Sequence, residues 1–243
     1  DITVYPAHGA GSACGKKMMK ETVDTLGNQK KVNYALREDM TKEEFVNEVI
    51  DGLLPPPQYF PENVRLNKNG YEDIDQVMEK GKIPLSPSKF EYIAMQSGAV
   101  ILDVRSADEF SKGHIPNSIF IGIDGGFAPW VGTLIGDTQH PIILVTPEGR
   151  EEETITRLSR VGFDNTLGYL EGGIAAWTGA GKDIEQIENI TATQLQTKIE
   201  KGAAILDVRK ESEYDSVHIP NATLFPLDKI NESLNHHAFE KAF

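Results

Sequence analysis

Three groups of residues carry types that could do chemistry. The first is Thr146-Pro147-Glu148-Gly149-Arg150-Glu151, a tight loop after the apolar run Pro141 to Val145. A threonine hydroxyl is a poor nucleophile without an adjacent base, and the loop offers no histidine. Glu148, Glu151, Glu152 and Glu153 crowd the loop and the helical turn expected after it. Glutamates there suit the helix dipole, and they fill the same space with negative charge. The second group is His8 and Cys14, in a glycine-rich segment after a short strand. Cys14 has no base near it in sequence and reads as a small buried residue. The third is Asp103, Arg105, Glu109 and His114, which together hold the acid, base and cation of a catalytic cluster.

The third group is not unique. Residues 98–117 read GAVILDVRSADEFSKGHIPN and residues 202–221 read GAAILDVRKESEYDSVHIPN, at a constant offset of 104 with no gap. Asp103, Arg105, Glu109 and His114 therefore recur as Asp207, Arg209, Glu213 and His218. A module has been duplicated.

The elements that must position these residues follow from local pattern. Ala99 to Leu102 is continuous and β-branched, as suits a strand covered on both faces. A helix precedes it, with Ser86 and Pro87 as N-cap and first-turn residues; Thr191 caps its counterpart. His-Ile-Pro-Asn marks a turn before a second strand, Ile119–Ile121 in copy one and Thr223–Phe225 in copy two. Copy one continues with a buried strand at Pro141–Val145, a helix at Glu151–Arg160 ended by Gly162-Phe163, a strand at Leu167–Leu170 and a closing helix from Glu171. Alternating strands and helices imply an α/β fold with a mainly parallel sheet.

The chain of 243 residues is 39% hydrophobic, enough for a real core, and carries 24 basic against 37 acidic residues for a net charge of −13. That balance argues against nucleic acid or an anionic membrane as partner. One cysteine allows no internal disulfide. No run approaches the roughly 18 apolar residues of a membrane span, and no signal peptide is visible. The expectation is a cytoplasmic protein. The chain opens on Asp1 without a methionine and is expected to be a fragment of a longer one.

The motif LDVRxxxEF…GHIPN, a strand–loop–helix, and GFDNTLGYLEGGIAAW together resemble the rhodanese (sulfurtransferase) domain along residues 85–180. The resemblance implies a catalytic loop of the form Cys-x-x-Gly-x-Arg, whose thiolate holds a persulfide. Here Thr146 stands where the cysteine belongs, Gly149 holds the glycine position, and Arg150 comes one residue before the family's arginine. Residues 146–151 are then a degenerate active-site loop with no catalytic residue. The alternative is a loop that binds a partner or a neutral ligand. The same resemblance makes Asp103, Arg105, Glu109 and His114 structural, around a strand end and turn. Copy two stops before its own loop, since position 250 lies past Phe243.

Residues 1–70 differ. Ile2–Tyr5 reads as a strand and Lys16–Leu26 as a helix stopped by Gly27. Thr41 and Glu44 form a capping box, with Met40 and Phe45 as a hydrophobic staple, for a helix whose apolar face is Phe45, Val46, Val49 and Ile50. Leu54-Pro-Pro-Pro57 starts an extended connection through Tyr59, Phe60 and Pro61. VYPAHGAGSACG, NYALR, MTKEEFV and LPPPQYFPENV resemble the end of a metallo-β-lactamase-fold domain, closest to persulfide dioxygenases fused to rhodanese domains. That resemblance makes His8 a metal ligand in an intact protein that holds iron, or alternatively zinc, and acts on a low-molecular-weight persulfide or thiol. One ligand retains no metal, so no cofactor is expected in this chain.

The expected organisation is a metallo-β-lactamase-like C-terminal segment plus linker at 1–70, a cysteine-less rhodanese-like domain at 71–182, and the N-terminal half of a second at 187–243. The expected function is a non-catalytic, pseudo-sulfurtransferase region of a multidomain sulfur-metabolism protein. Part of a glyoxalase II-like thioester hydrolase, or a purely structural interaction module, are the alternatives. A half module exposes strand edges, so residues 190–243 are expected to self-associate or to pack against a missing domain.

Overall fold

The structure is a computed structural model and describes residues 1–5, 22–51 and 59–230. His8, Cys14 and residues 231–243 lie outside the described residues. The chain forms two units, residues 1–55 and 56–243.

In the first unit Thr3–Val4 (β1) pairs antiparallel with Asp24–Thr25 (β2). The helix expected to run through Leu26 and stop at Gly27 instead starts there, at Leu26–Val32 (α1). Local capping decides this. The Thr25 hydroxyl accepts from the Asn28 N–H, and the Asp24 carboxylate accepts from the Asn28 and Gln29 side-chain amides. The Thr25 bond satisfies a backbone donor of a first turn at position 26, and the Asp24 bonds hold two side chains of that turn. The part of the expected helix at 16–21 lies outside the described residues. The next helix, Lys42–Ile50 (α2), has the expected capping box, with Thr41 and Glu44 bonded reciprocally. Its apolar face is not covered: Phe45, Val46 and Ile50 are exposed.

The second unit opens with a correction. Phe60 and Pro61 were expected in an extended connection, yet Phe60–Asn69 is a helix (α3) with proline in its first turn. Proline is well tolerated there because the first-turn N–H groups have no intrahelical partner. Tertiary contact recruits this helix. The Tyr59 ring is buried in the core, so close to Gly132 that a Cβ on that glycine would lie 2.0 Å from it. Leu66 lies 2.6 Å from where a Gly162 Cβ would be.

Ile74–Gly81 (α4) and the short strand Pro84–Leu85 (β3) follow. Pro87–Ser97 (α5) starts where expected, although the Ser86 side chain makes no capping bond. Then come Val100–Asp103 (β4), Ala107–Lys112 (α6), Ile119–Phe120 (β5), Phe127–Leu134 (α7), Ile142–Val145 (β6), Glu151–Ser159 (α8), Thr166–Leu170 (β7) and Gly173–Gly179 (α9). The five strands form one sheet in the order β3-β7-β6-β4-β5, parallel throughout. Helices cover both faces, which is why β6 is apolar at all four positions. Ile142 and Leu144 point into one layer with Phe127, Ile155, Leu158 and Phe163. Ile143 and Val145 point into the other with Leu85, Phe90 and Trp177. Period-2 alternation divides one strand between two cores.

Copy two contributes Ala192–Glu200 (α10), Leu206–Asp207 (β8), Glu211–Ser216 (α11) and Thr223–Leu224 (β9). Strand β8 pairs parallel with β9, as β4 does with β5. In copy one β4 also pairs with β6; among the described residues β8 has no such second neighbour. Leu206 and Val208 are accordingly 42% and 49% exposed, against 0% for their equivalents Leu102 and Val104.

The fold generates one stability test. Alanine in place of a helical glycine ordinarily stabilises, by roughly 0.5–1 kcal/mol. Gly132 lies inside α7 but against the Tyr59 ring. Gly132→Ala is expected to destabilise by about 1–3 kcal/mol through overpacking, read as a lower urea midpoint at unchanged slope. A stabilised variant would show that Tyr59 does not occupy the core.

Candidate functional site

Thr146 is the first residue past β6, the middle strand of the sheet. At the carboxyl ends of parallel strands, loop N–H groups and the N-terminus of the next helix converge, and ligands of open α/β sheets bind there. The loop is tight: the Arg150 N–H donates to the Pro147 carbonyl at 3.1 Å, and Gly149 takes φ 79°, a left-handed conformation open to glycine. Thr146 is buried at its base, and Glu148 points to solvent.

Glu151 opens α8 and turns back into the loop. One carboxylate oxygen, Oε1, accepts from the Thr146 hydroxyl at 3.2 Å and from the Gly149 N–H at 3.2 Å. Arg150 turns the other way. Its Nη1 and Nη2 donate to the Asp124 carboxylate at 2.8 and 2.9 Å, and its Nε and Nη2 to Glu153 at 2.9 and 3.0 Å. These bonds, Asp124 first and Glu153 second, hold the guanidinium charged above its ordinary value. They hold both carboxyls below the usual carboxylate range. Glu152 faces away and pairs with Lys82 at 2.8 Å. The four glutamates expected to crowd the loop are thus divided: Glu151 enters the loop, Glu153 joins Asp124 in clamping its arginine, Glu152 pairs with Lys82, and Glu148 points to solvent.

Sequence reasoning missed Asp124, which lies 22 residues before Thr146 in the chain. A signal was present, because the 104 offset carries Asp124 onto Asp228.

The cluster of Asp103, Arg105, Glu109 and His114 is committed to structure. Asp103 is fully buried and takes Arg105 Nε at 2.9 Å and Nη2 at 2.6 Å, while Nη2 also donates to the Gly113 carbonyl at 2.8 Å. Glu109 caps α6 with Ser106, whose hydroxyl and N–H hold its carboxyl below the usual range. His114 Nδ1 donates to the Phe110 carbonyl at 3.0 Å and its ring stacks on Phe110 at 3.9 Å. Asp103, Arg105 and His114 are buried and bonded, and Glu109 is spent as a cap. In copy two Arg209 holds Asp207 at 2.9 and 2.6 Å and the Val217 carbonyl at 2.9 Å. His218 likewise bonds the Tyr214 carbonyl at 2.8 Å and stacks on its ring at 3.8 Å.

A family model described as "Rhodanese-like domain" matches residues 86–180 and again 191–242. The chain belongs to the rhodanese-like domain family. Among curated proteins it is similar to "Uncharacterized protein YibN" of Escherichia coli strain K12, 35% identical over 82 residues, which are 33% of this chain and 57% of that protein. The match therefore spans little more than half of that relative. Among solved structures it is similar to a metallo-beta-lactamase from Staphylococcus aureus, at 25% identity and TM-score 0.48 over 70% of this chain and 45% of that one. A thiosulfate sulfurtransferase from Pseudomonas aeruginosa has 21% identity and TM-score 0.38 over 74% and 38%. A rhodanese-like domain from Anabaena has 22% identity and TM-score 0.35 over 39% and 98%. Thr146, Gly149, Arg150 and Glu151 all lie within the first matched span.

Among the described residues no group of three or more His, Cys, Asp or Glu side chains is placed to hold a metal ion. No described helix is long and apolar enough to cross a membrane.

Two measurements check this geometry. Asp103→Ala strands a buried guanidinium and is expected to cost about 3–5 kcal/mol in urea unfolding. Asp207→Ala, whose Arg209 partner is solvent-accessible, is expected to cost less; equal losses would show copy two to be as enclosed as copy one. Arg150→Leu is expected to move the Asp124 and Glu153 carboxyl titrations up toward ordinary values, followed by carbon NMR. The linkage has a definite sign. A lowered carboxyl contributes stability that is complete above the ordinary carboxylate pKa and is lost as pH falls through the lowered value. Unmoved titrations would show that the Arg150 clamp does not form in solution.

Proposed function

We propose that this chain is a non-catalytic, pseudo-sulfurtransferase region of a multidomain sulfur-metabolism protein. The observation that carries the reading is Thr146. Sulfane-sulfur transfer needs a thiolate that forms and breaks a sulfur–sulfur bond, and an alcohol oxygen cannot form that bond. The remaining use of Thr146 would be as an oxygen nucleophile. Glu151 Oε1 is in reach of its proton at 3.2 Å. It also consumes the Gly149 N–H, a loop donor that would otherwise stabilise a developing oxyanion. Among the described residues Asp103, Arg105 and His114 and their counterparts Asp207, Arg209 and His218 are bonded into the fold.

The larger protein is read as a metallo-β-lactamase-fold persulfide dioxygenase fused to rhodanese domains, on the motifs VYPAHGAGSACG and LPPPQYFPENV. His8 would be one donor to its iron, or alternatively zinc, and lies outside the described residues. The described residues supply no converging set to complete that site. No step is therefore assigned to a metal on this chain. A low-molecular-weight persulfide or thiol would be the substrate of that larger protein, and the cysteine-less module would serve as spacer or docking unit. The cytoplasm, where such thiols are kept reduced, is the compartment this reading implies.

The test is thiosulfate:cyanide sulfurtransferase assay of the whole chain, following thiocyanate. The expected result is no thiocyanate above the protein-free rate. Turnover that Thr146→Val abolishes would overturn the non-catalytic reading.

A further inference from the structure

Loss of a thiol explains why the loop cannot accept sulfur, but does not explain what fills it. A tight loop at the end of a central parallel strand, closed by the N-terminus of a nine-residue helix, is electrostatically suited to an anion. Here two donors in that loop, the Thr146 hydroxyl and the Gly149 N–H, converge on the same Glu151 oxygen, each at 3.2 Å. The neighbouring cation is also taken, with Arg150 held by Asp124 and Glu153.

We propose that Glu151 determines what this loop accepts: its carboxylate sits on the Thr146 and Gly149 donors as an internal anion and excludes small sulfur oxyanions from the end of β6. The proposal rests on the non-catalytic reading above and deepens it. Loss of the thiol alone would leave a loop that still binds the substrate class, whereas Glu151 removes the binding as well. The physical reasons are three. The carboxylate is tethered one residue from Arg150 and two from Gly149, so an external anion competes against an intramolecular one at high effective concentration. It lies in the first turn of α8, where the helix dipole favours negative charge. An incoming anion would also meet its charge at contact distance. A cation is not the alternative guest, because Asp124, Glu151 and Glu153 already accept from protein donors.

The probes are sodium thiosulfate and sodium sulfate, titrated at constant ionic strength into the full nitrogen-15-labelled chain while the Gly149 amide is followed. Wild type is expected to show no saturable shift. Glu151→Ala and Glu151→Gln are expected to show saturable shifts, with affinity at least about ten-fold above any wild-type limit. Variants as unresponsive as wild type would overturn the proposal, and so would a saturable response of the wild-type loop. Dispersed amides in β7 and α5 report that the variants remain folded. A second readout does not depend on added anion. In a Cys14→Ser background, Thr146→Cys is alkylated with iodoacetamide across pH, with and without Glu151→Gln. Removing the facing charge is expected to lower the midpoint of the alkylation profile by about one pH unit or more; equal midpoints would overturn the proposal. Thiocyanate turnover that survives Thr146→Val would place chemistry outside this loop and overturn the non-catalytic reading alone, whereas a saturable wild-type shift without turnover would overturn the proposal alone.

Discussion

The two-sided burial of β6 is the constraint on which the rest of this module depends. Four consecutive apolar residues, Ile142 to Val145, are fully buried and feed two cores at once. Such a strand can exist only between layers of helix, with parallel neighbours whose crossovers place those helices. Strands β4 and β7 supply the neighbours, and α7, α8, α5 and α9 contribute to the layers. The loop inherits its position from this arrangement. Thr146 is at the focus of strand ends because the strand before it has nowhere else to go. The loop's place in the fold is thus set by the strand and not by the side chain at position 146.

The donors of the loop are met by charge already within the chain. Glu151 closes the loop and Asp124 with Glu153 closes Arg150. Each contact is ordinary taken singly, and exposed pairs of this kind contribute little to stability. Their consequence is occupancy: the donors that would meet a ligand are bonded to the protein itself.

The two copies separate local from tertiary causes. The Asp-Val-Arg strand end, the His-Ile-Pro-Asn turn and the stacked histidine have nearly the same distances in both. Asn117 and Asn221 both take a left-handed conformation in that turn, which asparagine tolerates. Yet copy one is enclosed and copy two lacks a described neighbour on the outer edge of β8. The substructure is written in about twenty residues and does not need the burial. Burial changes the cost of disturbing it, not its geometry.

By itself the sequence determined the alternating strands and helices, the duplicated module, the parallel sheet and the absence of a thiol at position 146. Those features are short-range or compositional: apolar runs, capping residues such as Thr41 and Thr191, and a repeat at fixed offset. Tertiary structure decided the rest. It drew Tyr59 into the core through the space left by Gly132 and set α3 after it, against an extended reading of a proline-rich stretch. It brought Asp124 to Arg150 and turned Glu151, but not Glu152, into the loop. Those outcomes depend on which direction each side chain leaves its backbone and on what stands opposite, information that spacing along the chain does not carry.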